Sequence, residues 1–299
     1  MLNAKTILLV LLGMFGAVFV TLWVVHLLRG GKRDEIDRLY ELFVGFVTDF
    51  LDALGIGSFA TTTTLYRTRN WVDVRVLPGT LNVGHTLPTI VQAFIFVAII
   101  QVDMTTLVLL IAAAVAGAWL GAGFVARWPR QRVQVGMGIA LAVAAVILFM
   151  KVRHILPEGG NTDTLRGGLL GIGVAGNFLL GALMTLGIGL YAPCMVLVYL
   201  LGMNPTAAFP IMMGSCAFLM PVASVRFIAA GSYAARPALG LTLGGIPAVI
   251  IAAPLVGQLP LEKVQWLVIV VVSYTAFSML RSARRPRVMP SVRTEADGG

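Results

Sequence analysis

Charge is scarce in this sequence. Only 12% of its 299 residues are Asp, Glu, Lys or Arg, whereas 58% are hydrophobic and the mean hydropathy is +0.91. A soluble domain of this length could not cover its exterior with so few polar groups. Alternating strands of about ten residues are also absent, which argues against a membrane β-barrel. Cysteine is nearly missing. Cys194 and Cys216 both lie in apolar runs, where a thiol acts as a small buried hydrophobe, and no disulfide framework is implied. No Gly-x-x-x-x-Gly-Lys-Ser/Thr loop occurs, so direct drive by ATP within this chain has no support. His-Glu-x-x-His, Gly-x-Ser-x-Gly and any defensible cysteine–histidine arrangement are missing too. The chain is therefore not expected to be an enzyme, and no metal or cofactor is expected.

What the sequence does have is apolar length. Its runs approach or exceed the roughly 20 residues that cross a bilayer, so it reads as an all-α polytopic membrane protein with lipid as its solvent. The net charge of +9 sits in short loops and the C-terminal tail. That is the positive-inside distribution, and without a basic face interleaved with aromatics it does not point to nucleic acid. Thr6 to Leu28 is too long for a signal-peptide core and lacks a small-x-small cleavage site. Lys5 precedes it and Arg29, Lys32, Arg33 and Arg38 follow, which predicts an uncleaved span with its N-terminus outside the plasma membrane.

The chain also repeats itself. Leu54-Gly55-Ile56-Gly57 recurs at an offset of 132 as Leu186-Gly187-Ile188-Gly189. Pro78 pairs with Pro210 at 132, and Pro129 with Pro260 at 131. Around the last pair, Val133-Gln134 echoes Val264-Gln265. The predicted organisation is an N-terminal anchor and basic linker (1–39), a first repeat (40–153), a linker (154–166), a second repeat (167–281) and a basic, disordered cytoplasmic tail (282–299). Each repeat holds one glycine-broken segment, 40–66 or 167–201, and three apolar spans.

Basic residues arbitrate how the broken segments lie. If both dip in and return, sixteen Lys and Arg face the cytoplasm and five face outside. If both cross, the split falls to thirteen and eight. The first arrangement is favoured. It gives seven spans and two halves of opposite orientation, an inverted-topology repeat of re-entrant hairpins. The alternative has nine crossings and parallel halves.

A glycine-broken helix in matching places of two halves is the best sequence pointer to a transporter site. Glycine permits a left-handed turn, and the half-helix that follows begins with unpaired N–H groups. Those donors and the helix dipole favour an anion. Gly55, Gly57, Gly187 and Gly189 are the leading candidates for a substrate site made of backbone.

The stretch Gly45–Arg67, with Asp49, Asp52 and Leu-Gly-Ile-Gly-Ser, resembles the first signature of the sulfite exporter TauE/SafE family of membrane permeases. Pro78-Gly79-Thr80-Leu81-Asn82-Val83-Gly84-His85-Thr86-Leu87-Pro88 is similar to the second element of one branch of that family. The second half repeats the pattern in Gly176–Tyr191 and Phe209–Ser224, so the resemblance covers about residues 40–281. It implies transport of small, mostly sulfur-containing anions: sulfite, thiosulfate, sulfoacetate and other organosulfonates. Many relatives run three glycines after the leucine, where this chain has Ser58 and Leu190 after the second glycine.

Side chains near the breaks complete the candidate site. Ser58, Thr61 and Thr62 follow the first break, where their hydroxyls can meet anion oxygens or bond back to helix carbonyls. Asn82 and His85 share one helix face. His85 can bind an anion, carry a coupled proton or bond a neighbouring helix. Asp49 and Asp52 are candidate proton carriers, or partners of a rim arginine. Their counterparts at the 132 offset are Gly181 and Met184. Arg226 can attract a sulfonate or snorkel to the interface. Tyr191 and Ser215 supply polar groups around the second break, with Asn177 and Cys216 nearby. Gln92 is expected to make an interhelical bond.

The expected function is secondary transport of a small anion, bound at mid-membrane between two broken helices and coupled to protons through Asp49, Asp52 or His85. The alternative is a membrane subunit of a larger complex without transport of its own. Small-residue surfaces at Gly117–Gly123 and Gly167–Gly181 suit close packing within a monomer, in a homo-oligomer or against such a partner.

Overall fold

A computed structural model describes residues 4–29, 38–99, 101–155, 160–187, 189–204, 207–255 and 261–283. The basic linker 30–37, Ile188 of the second break and the tail from 284 onward lie outside the described residues. Among those described there is no β-strand. The helices are α1 (Ala4–Arg29), α2 (Arg38–Ala53), α3 (Ser58–Thr68), α4 (Leu77–Ile99), α5 (Met104–Val125) and α6 (Arg130–Val152). They continue as α7 (Gly167–Met184), α8 (Tyr191–Leu200), α9 (Ala208–Ala229), α10 (Ala235–Ala252) and α11 (Leu261–Ala283).

Seven of these helices, α1, α4, α5, α6, α7, α9 and α10, are long and apolar enough to cross a membrane. An apolar solvent leaves the backbone no partner but itself, so uninterrupted runs of Leu, Val, Ile and Ala close every N–H inside a helix. The polarity of the molecule follows the same rule. Large side chains such as Ile172, Leu179, Phe149 and Phe277 are exposed on its outside, whereas Asp49, Asp52, His85, Asn82 and Gln92 are fully or almost fully buried. Intramembrane polar groups face the bundle interior because lipid cannot solvate them.

At the centre, α4 crosses α9, joined by Thr86 and Ser224 hydroxyls 3.2 Å apart. Both helices are buried over most of their length, whereas α1 is mostly exposed. Several other pairs match one another. α2 packs on α10 as α7 packs on α5; α4 packs on α10 as α9 packs on α5; α3 touches α11 as α8 touches α6. A Cβ on Gly45 of α2 would press on Leu241 of α10. Asn177 of α7 bonds the carbonyl of Leu110 of α5.

Both broken segments fold back on themselves. Tyr40, at the start of α2, donates its hydroxyl to Leu65 O near the end of α3 at 2.8 Å. Arg69 lies over the same ring, 4.3 Å from its centroid. In the second segment Thr162 bridges to Met203, and a Cβ on Gly173 would lie 3.3 Å from Leu201. Tyr66 of the first reaches Pro237 O at the start of α10. The approach to the second is bonded to the start of α5, through Asp103 N to Asp163 O and Leu165 N to Thr106 Oγ1. Glycine makes the contacts close: a Cβ on Gly117 would overlap the carbonyl of Phe178, and one on Gly181 that of Ala114. Small residues let membrane helices approach in this way.

Candidate functional site

The two breaks turn at one place. Gly55, Gly57, Gly187 and Gly189 have φ of 77°, 98°, 90° and 20°, the left-handed side of backbone space that only glycine enters freely. Gly57 caps α3 with φ 98° and ψ 133°, so the chain reverses within the break. A Cβ on Gly189 would lie 3.7 Å from Phe59 Cβ at the start of α3. A cavity lies between the breaks, lined by Gly57, Ser58, Gly187, Gly189, Tyr191 and Asp52. The space open to the centre of a water-sized sphere is about 40 Å³, roughly three times what one water needs. Its far wall is apolar, with Ala145 and Leu148 of α6 facing Ile269 and Val272 of α11.

A hydrogen-bonded chain ties the breaks together. Asp52, the penultimate residue of α2, accepts the backbone N–H of Ser58 at 2.5 Å through Oδ1. Its Oδ2 accepts Nε2 of Gln92 at 2.8 Å. Gln92 Oε1 in turn accepts the hydroxyl of Tyr191, the first residue of α8, at 2.7 Å. Gln92 thus makes the expected interhelical bond, and makes it on both sides.

A second chain lies beside the first. His85 Nδ1 is 2.9 Å from Asp49 Oδ1, and its Nε2 is 3.0 Å from Thr62 Oγ1. All three residues are fully buried, and none lines the cavity. If Nδ1 carries a hydrogen, it donates to the carboxylate and Nε2 accepts from the threonine. The arrangement ties α2, α3 and α4 at mid-length.

The other candidates are placed differently. Thr61 Oγ1 donates back to Ser58 O at 2.9 Å and Thr64 Oγ1 to Ala60 O at 2.9 Å, the local helix bonding that competes with ligand contact. Asn82 Nδ2 donates to Pro78 O at 2.9 Å, and its Oδ1 is buried without a partner among the described residues. Ser215 accepts from Asn177 Nδ2 at 2.9 Å. Arg226 lies over the Trp119 ring at 4.2 Å and against Gly123, at the α5–α9 contact. Thr61, Asn82, Ser215 and Arg226 do not line the cavity.

No family model, no curated protein and no solved structure matches this chain.

The site therefore rests on its own chemistry. Among the described residues Asp52 is the one ionisable carboxyl in the cavity wall, and no Lys or Arg joins it there. The sequence reading passed over Thr89, Met184 and the α6–α11 wall. Thr89 had a legible signal, since it follows His85 by one helical turn and precedes Gln92 by another on one face of α4. The wall had none, because apolar residues that face a cavity look like residues that face lipid.

Proposed function

We propose that this chain is a secondary transporter of small anions, with sulfur oxyanions and short organosulfonates the class implied by its TauE/SafE resemblance. The cavity carries the reading: two glycine breaks meet there, and α3 and α8 both begin at it. Discontinuous helices whose N-termini converge at mid-depth are how many transporters build a substrate site.

In a bilayer each hairpin enters and returns on one side, and α1, α4, α5, α6, α9, α10 and α11 cross. At 11 and 10 residues, α3 and α8 measure about 17 and 15 Å, too short for a ~30 Å core. The halves then form an inverted-topology repeat. The matching packing pairs support it. In that topology Arg67, Arg69, Arg75, Arg236 and Arg281 fall on the side where the first hairpin opens, and Lys5, Lys151, Arg153 and Arg166 fall on the other. The arginine-rich end is cytoplasmic by the positive-inside rule, which leaves the N-terminus outside.

One observation favours a second reading, transport of a small cation or neutral solute. An ionised Asp52 repels an anion beside it by about 4 kcal/mol at ~4 Å and an effective dielectric of ~20. Anion binding therefore needs Asp52 neutral. Purified protein in liposomes tests both. Saturable flux of thiosulfate, sulfite or methanesulfonate is expected. Flux of small cations alone selects the second reading, and no flux without native membrane partners selects a subunit of a larger complex.

A further inference from the structure

We propose that Asp52 is the proton-coupling group of this transporter, and that Gln92 passes its charge state to Tyr191 at the second break. The inference rests on the anion-transport reading above.

The structure separates two carboxylates that the sequence left equal. Asp49 is held by His85 and lies outside the cavity. Asp52 lines the cavity, where a solute meets it. The titratable groups that face Asp52 are Asp49 on its own helix, His85 of α4, Tyr191 of α8 and Cys216 of α9. Packed along α2, α10 carries Arg236 in its first turn as its one titratable side chain. Among the described residues no Lys or Arg lines the cavity to balance Asp52 when an anion arrives.

Two hydrogen bonds end on Asp52, and a third feeds the Gln92 that makes one of them. An ionised carboxylate only accepts, so Ser58 N–H and Gln92 Nε2 donate to it, and the Gln92 carbonyl takes the Tyr191 hydrogen. A proton from water placed on Oδ2 makes that atom a donor. Gln92 satisfies it by turning its amide, giving Oε1 to Asp52 and Nε2 to the Tyr191 oxygen. The Tyr191 hydrogen is then released, and Tyr191 lines the cavity. Both states leave Asp52 and Gln92 bonded, and the one donor freed on protonation, the Tyr191 O–H, finds its acceptor when an anion occupies the cavity. Protonation thus removes a negative charge at the first break and frees an O–H donor at the second. Both changes favour an anion between them.

The test uses the full chain in proteoliposomes, with thiosulfate as an ionised probe and a trapped pH indicator. Wild-type protein should acidify the lumen as thiosulfate enters, and its affinity should weaken up to tenfold per pH unit above the titration of Asp52. Asp52→Asn should exchange thiosulfate without acidification and with a half-saturation indifferent to pH. Its amide can occupy the protonated-state bonding pattern. Tyr191→Phe should keep acidification but weaken thiosulfate affinity roughly tenfold, because the released donor is gone. Acidification that persists in Asp52→Asn overturns the inference and leaves the transport reading standing. Absence of thiosulfate flux in wild type at every pH removes both. Should Asp52→Asn fail to insert, infrared difference spectra of wild type decide: a protonated-carboxyl band must appear when thiosulfate binds, and its absence overturns the inference.

Discussion

The carboxyl of Asp52 takes the backbone N–H of Ser58 at 2.5 Å, so α3 begins on an ionisable acceptor that the first hairpin carries itself. A negative group at a helix N-terminus is favourable, because the first N–H groups have no partner within the helix and the dipole is positive there. At the second break the equivalent position is Met184, which lines the same cavity without a charge. One half-helix is thus provided with a resident counter-charge and the other is not. That asymmetry gives two similar turns different parts to play.

Glycine at the breaks is required by the backbone itself. A Cβ at Gly57 would meet nothing within 4 Å, so its φ of 98° is the whole objection to a side chain there. Gly57→Ala should destabilise the protein by about 1–3 kcal/mol, the usual cost of holding another residue in such a conformation. Gly57→Leu and Gly189→Leu should each abolish solute flux while the protein still inserts. Flux assays beside thermal unfolding in detergent separate the two effects.

His85 is expected to matter chiefly for stability. His85→Ala removes the hydrogen-bond partner of the buried Asp49 carboxyl and loses the Thr62 bond. Leaving a buried polar group without its partner costs about 1–3 kcal/mol, and more where the group is charged. His85→Ala combined with Asp49→Asn should recover part of that loss, since an amide carries no charge to leave uncompensated. Unfolding temperatures of the two single variants and the double variant check this.

The close contact between α5 and α7 makes an internal comparison. Gly117→Ala would drive a methyl into the Phe178 carbonyl, and overpacking of this kind costs about 1–3 kcal/mol or more. Gly171, on α7 itself, has nothing within 4 Å of its Cβ position. Gly171→Ala should be neutral or stabilise by up to about 1 kcal/mol through helix propensity. Unfolding measured side by side should rank the two variants in that order.

Asp103 supplies a pH-dependent cap outside the membrane-spanning segments. It accepts Thr106 N at 2.8 Å and Thr106 Oγ1 at 2.9 Å, capping α5. The Thr106 backbone bond, more than any other influence, holds its carboxyl below the usual range. A group with a depressed folded-state pKa stabilises above its unfolded value and loses that contribution as pH falls through the folded value. Asp103→Ala should therefore cost about 1 kcal/mol at neutral pH. The gap to wild type should close as pH drops below about 4. Unfolding scans of both proteins across that range test it.

Much of the fold was legible because the membrane restricts the backbone so strongly. Apolar runs of fixed length become helices: the runs Pro78–Val102, Thr105–Ala126 and Val133–Val152 fall close to α4, α5 and α6. The paired glycines were readable for a similar reason, since a break at matching places in two apolar segments requires residues that tolerate positive φ. Hydroxyl and amide groups were less readable. Thr61 looked like an anion ligand but bonds back to Ser58 O, and nothing in its sequence neighbourhood separates those two uses. Arg226 looked available to a sulfonate, yet it lies over Trp119, which a different helix, α5, brings to it.

By itself the sequence determined the helices, their breaks and the apolar exterior, because each follows from local composition and the absence of water as a hydrogen-bond partner. Only the tertiary structure decided which polar groups share a cavity. Asp49 and Asp52 sit one turn apart on one helix, and sequence gives them equal standing. Packing of α4 against the first hairpin brings His85 to one and Gln92 to the other. Gln92 then reaches Tyr191, in the other half of the chain. Such a contact depends on where two helices cross, and a crossing point is written in no single stretch of chain.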